Sequence, residues 1–358
     1  MSALRRGEWI TLIAALAASA LAGLLSFNRA NAVLVFAVTA AALAVLASVV
    51  GLATQQLGER LGPGATGVLQ SGLGNLPELF VSIFALRAGL VTVVQAALVG
   101  SILANSLLVL GLAFLIGGLK HGTQRFEAEA PRVISTLTLL AVAALAVPTL
   151  AHALHTPASA HTDALDIACA VAVLAVFVVS IPYSLRGGPG AVSAPREAGD
   201  EGRRAAWPLW LAATVLAVAG VGAAFVSDWF VAALTPDIEA LHLSQAFTGL
   251  VVVAIAGNAV EHVVGIQFAA RNRPDYAVSV ILNSSLQVAL GLTPVLVLLS
   301  LVIGGAHLTL VLPGLLLAAL GLAALLSVAI VFDGESIWLE GAALIGLYGI
   351  IAASFWWG

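Results

Sequence analysis

Apolar runs longer than the roughly 20 residues that a helix needs to cross a bilayer recur along this chain, and they exclude most folds. The stretches 91–118 and 274–302 are two of them. The core of a bilayer offers no water to backbone N–H and C=O groups, so such segments cross as helices that satisfy their own backbone. The chain is 61% hydrophobic and 9% charged, against about 25% charged in soluble domains. That leaves no room for a sizeable soluble domain, and the chain reads as an all-α integral membrane protein. The net charge of −4 says little about partners, because the charges sit in loops. The single cysteine, Cys169, lies inside an apolar run and excludes a disulfide framework. Met1–Arg6 ahead of an apolar run imitates a signal peptide, yet no small-residue cleavage site bounds it, so it reads as a retained first helix.

Hydropathy places about 11 transmembrane helices, near 9–27, 32–57, 63–87, 91–118, 131–150, 163–185, 207–230, 241–270, 274–302, 308–332 and 336–356. Pro63, Pro131, Pro208 and Pro274 fall near helix starts, where a missing N–H costs nothing. With the N-terminus in the cytoplasm, 12 of the 14 Lys and Arg residues lie on the inner side, and only Arg29 and Arg87 lie outside. That bias satisfies the positive-inside rule and places the C-terminus outside.

Two polar motifs interrupt this apolar background. Gly74-Asn75-Leu76-Pro77-Glu78 and Gly257-Asn258-Ala259-Val260-Glu261 each set an acid and an amide deep in a span. A charge there costs on the order of 2.5–3.5 kcal/mol even on gentle scales. A gapless shift of 183 residues superposes the two motifs and also pairs Val81 with Val264, Ile83 with Ile266 and Ser101 with Ser284. The expected organisation is an N-terminal helix in 1–31, a five-helix repeat over 32–186, a cytoplasmic linker over 187–206 and a second five-helix repeat over 207–358. An odd number of crossings forces the second repeat to enter from the opposite face. The repeats are therefore inverted, which is a transporter architecture with its site at the membrane midplane.

Polar side chains gather in four helices: Ser71, Asn75, Glu78 and Ser82; Gln95, Ser101, Asn105 and Ser106; Asn258, Glu261, His262 and Gln267; Asn283, Ser284, Ser285 and Gln287. Spacings of three and four put Asn75 with Glu78 and Ser101 with Asn105 on shared faces. Gly72, Gly74 and Gly257 allow the helices to bend and turn carbonyl oxygens toward a cavity. Carboxylates, amide oxygens, hydroxyls and freed carbonyls are hard oxygen ligands suited to Ca²⁺. The set lacks the thiolates and paired imidazoles of softer metals. Two nearby acids in a low-dielectric cavity resist joint ionisation. Protons and a divalent cation therefore compete for the same oxygens, which is the chemistry of an antiporter.

At these residues the chain resembles a known family. Gly-Asn-x-x-Glu-Leu at 74–79, Phe-Ala-Leu at 84–86 and Val-Gln-Ala-Ala-Leu-Val-Gly-Ser-Ile-Leu-Ala-Asn at 94–105 are similar to the first α-repeat of the Ca²⁺/H⁺ exchangers, within the cation/Ca²⁺ exchanger superfamily. Gly-Asn-Ala-Val-Glu-His at 257–262 and Asn-Ser-Ser-Leu-Gln-Val-Ala-Leu at 283–290 resemble the second, and Asp333–Ser336 with Trp338–Gly341 the start of the last helix. The resemblance implies one extra helix plus two inverted five-helix repeats, and Ca²⁺ moved against an inward flow of H⁺. It implies that Glu78 and Glu261 bind the ion and carry protons. Asn75, Asn258, Ser101, Asn105, Ser284, Ser285 and Gln287 become supporting ligands or gates. Two gating helices would slide against a fixed core. Three features depart from the family pattern: Pro77, which resembles the sodium-coupled branch; Asn283 and Leu286 in place of Gly and Thr; and a mixed, slightly basic Arg186–Arg204 linker without an acidic stretch.

His262 is a further candidate proton carrier, or a partner that holds Glu261. Gln95, Asn105 and Gln287 also suit plain interhelical hydrogen bonding, worth about 0.6 kcal/mol on average. His152, His155 and His161, and Asp228, Asp237 and Glu239, read as solvated loop residues, and Asp333, Glu335 and Glu340 as an interfacial cap. No His-Glu-x-x-His motif supports an intramembrane hydrolase, and paired inverted halves favour alternating access over a channel. The expected function is secondary Ca²⁺/H⁺ antiport without a resident cofactor, with Na⁺ coupling or another cation as the alternative. The expected partners are Ca²⁺, H⁺ and the bilayer of a prokaryotic plasma membrane, with monomer and homo-oligomer both open.

Overall fold

The computed structural model describes residues 4–28, 30–61, 73–185, 207–240 and 242–356, and these are helical nearly throughout. Arg29, Pro63, Ser71, Gly72 and the whole linker 187–206 lie outside the described residues. The helices are α1 (Arg6–Phe27), α2 (Ala32–Leu61), α3 (Leu76–Arg87), α4 (Val91–Leu103), α5 (Leu110–His121), α6 (Glu129–Ala153), α7 (Thr162–Leu185) and α8 (Leu209–Ala240). They continue with α9 (Gln245–Phe247), α10 (Ala254–Gly257), α11 (Ala259–Ala270), α12 (Pro274–Gln287), α13 (Thr293–Ser300), α14 (Gly314–Ile330) and α15 (Trp338–Ser354). Among the described residues, seven helical stretches are long and apolar enough to cross a membrane. An eighth is the pair Gln245–Gly257 and Glu261–Ala270, bent by 66°. α14 and α15 are shorter apolar helices, and α3 is the described part of the expected third span.

The shift of 183 residues seen in the sequence recurs in the backbone. It carries α3 onto α11 at both ends. Both helices stop in the same way. Gly89 (φ 79°) and Asn272 (φ 57°) take the left-handed conformation that ends a helix. The Leu90 N–H then donates to Ala85 O, and the Arg273 N–H to Phe268 O, each at 2.9 Å. Downstream, a π-helical segment, Ala104–Val109, joins α4 to α5, and its counterpart Val288–Leu292 joins α12 to α13. Such widened turns often accompany functional sites.

By contacts the chain forms two compact units, and each draws on both sequence repeats. The first comprises Met1–Phe84, Ser193–His242 and Ala256–Val260; the second comprises Ala85–Val192, Leu243–Ile255 and Glu261–Gly358. In the first unit α2 lies along α8, and the Phe36 and Phe230 rings stack at 4.8 Å. α1 turns Ile10, Ile13, Leu16 and Leu24 outward and keeps Ala15, Ala22 and Gly23 inside, the arrangement lipid favours: large apolar groups out, small residues at helix contacts. Trp207 closes this bundle, donating its N–H to Gln56 Oε1 (2.9 Å) and its indole N–H to Glu8 Oε2 (3.2 Å).

In the second unit α4 meets the π-helical segment Thr248–Val253 at backbone distance. A Cβ on Gly100 would lie 2.2 Å from Leu250 O, and one on Gly249 2.3 Å from Val93 O. The expected tenth span, 308–332, is helical only from Gly314. Before it, residues 308–312 form an irregular strap whose backbone is answered by side chains. Gln95 donates to Thr309 O (2.8 Å) and Val311 O (3.1 Å). Thr149 donates to Leu310 O (2.8 Å) and accepts from the Leu312 N–H (2.9 Å). Asp166 accepts from Leu310 (3.2 Å), and Ser300 from Leu308 (3.0 Å). Non-helical backbone survives at membrane depth only where protein or a water-filled cavity answers it, and here protein does. Hydropathy alone reads Leu308-Thr309-Leu310-Val311-Leu312 as helix, because its residues are apolar. At the other end of the chain order, a two-stranded ribbon pairs β1 (Gln124–Arg125) with β2 (Glu335–Ser336). Glu340 Oε2 accepts the Ile337 N–H (3.1 Å), so this acid caps α15.

Candidate ion-binding site

The first unit contains Asn75, Glu78, Gly257 and Asn258, taken from both motifs. α3 starts directly after Asn75, whose carbonyl accepts the Leu79 N–H at 2.9 Å. Pro77 occupies the second helical position, where no intrahelical donor is required. Glu78 therefore sits in the first turn, and only 2% of its surface is exposed. The unpaired N–H groups of a helix start favour an anion there. Gly257 lies beside this side chain with room for a methyl group: a Cβ added to it would stand 3.6 Å from Glu78 Cβ and Cγ and 3.9 Å from Cδ. The bend at Gly257 and Asn258 thus brings backbone of the second motif beside the acid of the first. Asn258 is buried, with 1% exposed, and Asn75 is half-buried.

The second unit holds the remaining candidates. Glu261 lies in the first turn of α11, the same position as Glu78 in α3, and is half-buried. His262 beside it is buried. Ser101 and Asn105 are fully buried on one face of α4 and its π-segment. Asn105 Nδ2 donates to Ser284 Oγ (2.9 Å), and the Ser106 and Ser285 hydroxyls pair at 3.2 Å. Asn105 Oδ1 is enclosed without a hydrogen-bond partner among the described residues. Gln287 ends α12 and is half-buried. Ser101, Asn105, Ser284 and Ser285 therefore lie together at a polar seam between the two repeats, within one unit.

Other polar residues have structural tasks. Gln95 holds the strap. Asn283 Nδ2 turns back to Ser279 O of its own helix (2.8 Å), and Gln267 is exposed. Asp166 and Thr149 carry no signal in the sequence, because an acid one turn into α7 and a threonine near the end of α6 resemble ordinary helix-end residues. The motif by itself assigns Gly257 a bend; the fold also places it beside Glu78. Among the described residues no group of three or more His, Cys, Asp or Glu could hold a metal.

A profile of the family described as sodium/calcium exchanger protein matches residues 31–186 and 211–357. The chain belongs to this family. It is similar to a Ca(2+)/H(+) antiporter of Synechocystis sp., 35% identical over 338 residues, covering 90% of each chain. It is also similar to the Ca(2+)/H(+) antiporter ChaA of Bacillus subtilis, 36% identical over 324 residues, covering 89% of this chain and 91% of that one. The solved structure of native YfkE superposes with a TM-score of 0.80 at 32% identity, covering 97% of this chain and 99% of that chain. Membership fits the apolar helices, and this family member is an integral membrane protein with the helical fold of a membrane transporter.

Proposed function

We propose that the chain is a secondary antiporter that exports Ca²⁺ in exchange for H⁺. Glu78 and Glu261 take the cation and protons in turn, and Asn75, Asn258, Ser101, Asn105, Ser284, Ser285 and Gln287 supply neutral oxygens or gate access. His262 holds or relays the proton at Glu261. The observation that carries this reading is the nearness of Gly257 to Glu78, with room for no more than a methyl group between them. The backbone of one motif borders the acid of the other, as a site shared by two repeats requires. Relatives named Ca²⁺/H⁺ antiporters over nearly the whole chain support the choice of substrates.

The mechanism follows from charge. Two ionised acids without a cation are costly at bilayer depth. The site therefore changes sides loaded with Ca²⁺ or protonated, and not empty and charged. Exchange is the consequence, since neither ion crosses without the other returning. The proposal includes eleven crossings with the N-terminus inside and the C-terminus outside, in a prokaryotic plasma membrane. It also includes one helix in 1–31 and inverted repeats over 32–186 and 207–358, joined by 187–206.

Everted vesicles with an acidic interior test it. They should take up ⁴⁵Ca²⁺, and uptake should collapse when the pH gradient is dissipated or when either Glu78→Gln or Glu261→Gln is introduced. Uptake driven by a Na⁺ gradient alone, or unchanged in both variants, would overturn the reading.

A further inference from the structure

Eight residues beyond each acid, one carbonyl in the last turn of its helix is held by a loop of the other repeat. Leu86 O of α3 accepts the Ala306 N–H at 3.1 Å. Ala269 O of α11, its equivalent under the 183-residue shift, accepts Gln124 Nε2, also at 3.1 Å. All four residues belong to the second unit. The two latches differ chemically. The one on α3 is backbone to backbone. The one on α11 depends on a side chain, and Gln124 is built for the task. It is 3% exposed and follows Gly122 (φ 76°) into the β-ribbon, and its second amide hydrogen goes to Asn272 Oδ1 at 2.9 Å. Gly117 makes room for it, because a Cβ there would lie 1.9 Å from Gln124 Oε1. Asn272 is the left-handed residue that ends α11; in α3 that position is Gly89, which has no side chain to offer. His121 Nε2 lies 3.1 Å from Ala270 O and adds an exposed contact.

We propose that Gln124 is a positioning residue for Glu261: it fixes the far end of α11 through Ala269 O and Asn272, so that the acid at the near end keeps its place for the cation. Its bearing on transport rests on the antiport reading above; its bearing on α11 does not. With the far end fixed, movement of the acid is confined to the break at Asn258. Without the latch the whole half-helix shifts, and ion affinity falls before maximal rate.

Gln124→Glu is the sharpest variant. It keeps the shape but sets carboxylate oxygens against two acceptors. Hydrogen exchange in detergent should accelerate roughly fivefold or more, the worth of about one net hydrogen bond, in amides 262–272 and not in 76–90. In everted vesicles the KM for Ca²⁺ should rise roughly fivefold with Vmax within about twofold, on the same scale. Asn272→Gly, which permits the left-handed backbone and removes one acceptor, should give a smaller change in the same direction. Asn272→Asp keeps an acceptor and should behave as wild type. Unchanged exchange in folded Gln124→Glu overturns the latch. Faster exchange with an unchanged KM overturns the positioning role and leaves Gln124 as packing. If Gln124→Glu does not fold, Asn272→Gly decides by the same two measurements. Wild-type vesicles that move no Ca²⁺ refute the antiport reading, and the exchange data still judge the latch.

Discussion

Replacing Gln95 by leucine tests whether the strap is held by side chains. The substitution keeps the side chain's approximate volume and removes one amide with two bonds, to Thr309 O and Val311 O. Two magnitudes compete. Interhelical hydrogen bonds in membranes average about 0.6 kcal/mol, because the reference state finds other partners. A buried group left without a partner costs about 1–3 kcal/mol. The second figure applies here. Both carbonyls lie in non-helical, part-buried backbone, so no helical N–H replaces the lost donor. Two orphaned carbonyls give about 2–4 kcal/mol, allowing for partial relaxation. Equilibrium unfolding in mixed detergent and SDS micelles, followed by tryptophan fluorescence, measures it. Ser106→Ala is the control: it removes a 3.2 Å hydroxyl pair between the π-segment Ala104–Val109 and α12, both helical with their own backbone bonds, and should cost about 0.6 kcal/mol. If Gln95→Leu costs less than about 1 kcal/mol, or no more than Ser106→Ala, the account of the strap is wrong.

Other substitutions discriminate packing from chemistry. Gly100→Ala places a Cβ 2.2 Å from Leu250 O, so it should destabilise by about 1–3 kcal/mol or more, measured by the same unfolding. Gly257→Ala meets Glu78 at ordinary van der Waals distance, 3.6 Å, and should leave ⁴⁵Ca²⁺ uptake largely intact; Gly257→Leu should abolish uptake while the protein still elutes as a folded species from a sizing column. Because protons and the cation compete for the same acids, the apparent KM for Ca²⁺ should rise as the pH on the Ca²⁺ side falls. A flat KM across that range would contradict shared oxygens.

Much of this was legible from residues alone, for a physical reason. A charged or amide group in a span is so costly that its position stands out, and Glu78, Glu261 and their asparagines announce themselves. The 183-residue register needed only a few identities, and it carries to the ends of α3 and α11, the left-handed caps and the π-segments. The strap at 308–312 was not legible. Hydropathy measures whether a segment suits lipid, and an apolar segment buried under other helices scores the same whether coiled or extended. What separates the two is the presence of Gln95, Thr149, Asp166 and Ser300 at the right places in four other helices, which only the fold reveals. The ribbon at Gln124 and Glu335 escaped for a related reason: two residues are too short for a period.

The repeats agree in backbone more closely than in side chains, and that difference bears on mechanism. Gly89 and Asn272 hold the same conformation, yet only Asn272 adds a hydrogen-bond acceptor. Leu86 O is held by a backbone donor that only a proline at 306 would remove, while Ala269 O is held by a side chain. Ser101 matches Ser284, but Asn105 and Gln95 meet Val288 and Val278 under the same shift. Identical halves would give two equivalent faces and no reason for the two acids to behave differently. Here the duplicated backbone sets two acids at equivalent helix starts, and unlike neighbours give each its own surroundings. Glu78 is enclosed, at 2% exposed, while Glu261 is half-buried. Substitution of the two should therefore have unequal effects. Glu261→Asp, with more space around the shorter side chain, should retain more ⁴⁵Ca²⁺ uptake than Glu78→Asp, whose carboxylate is drawn away from the wall formed by Gly257. Equal losses would mean that the surroundings seen here do not set the roles of the acids.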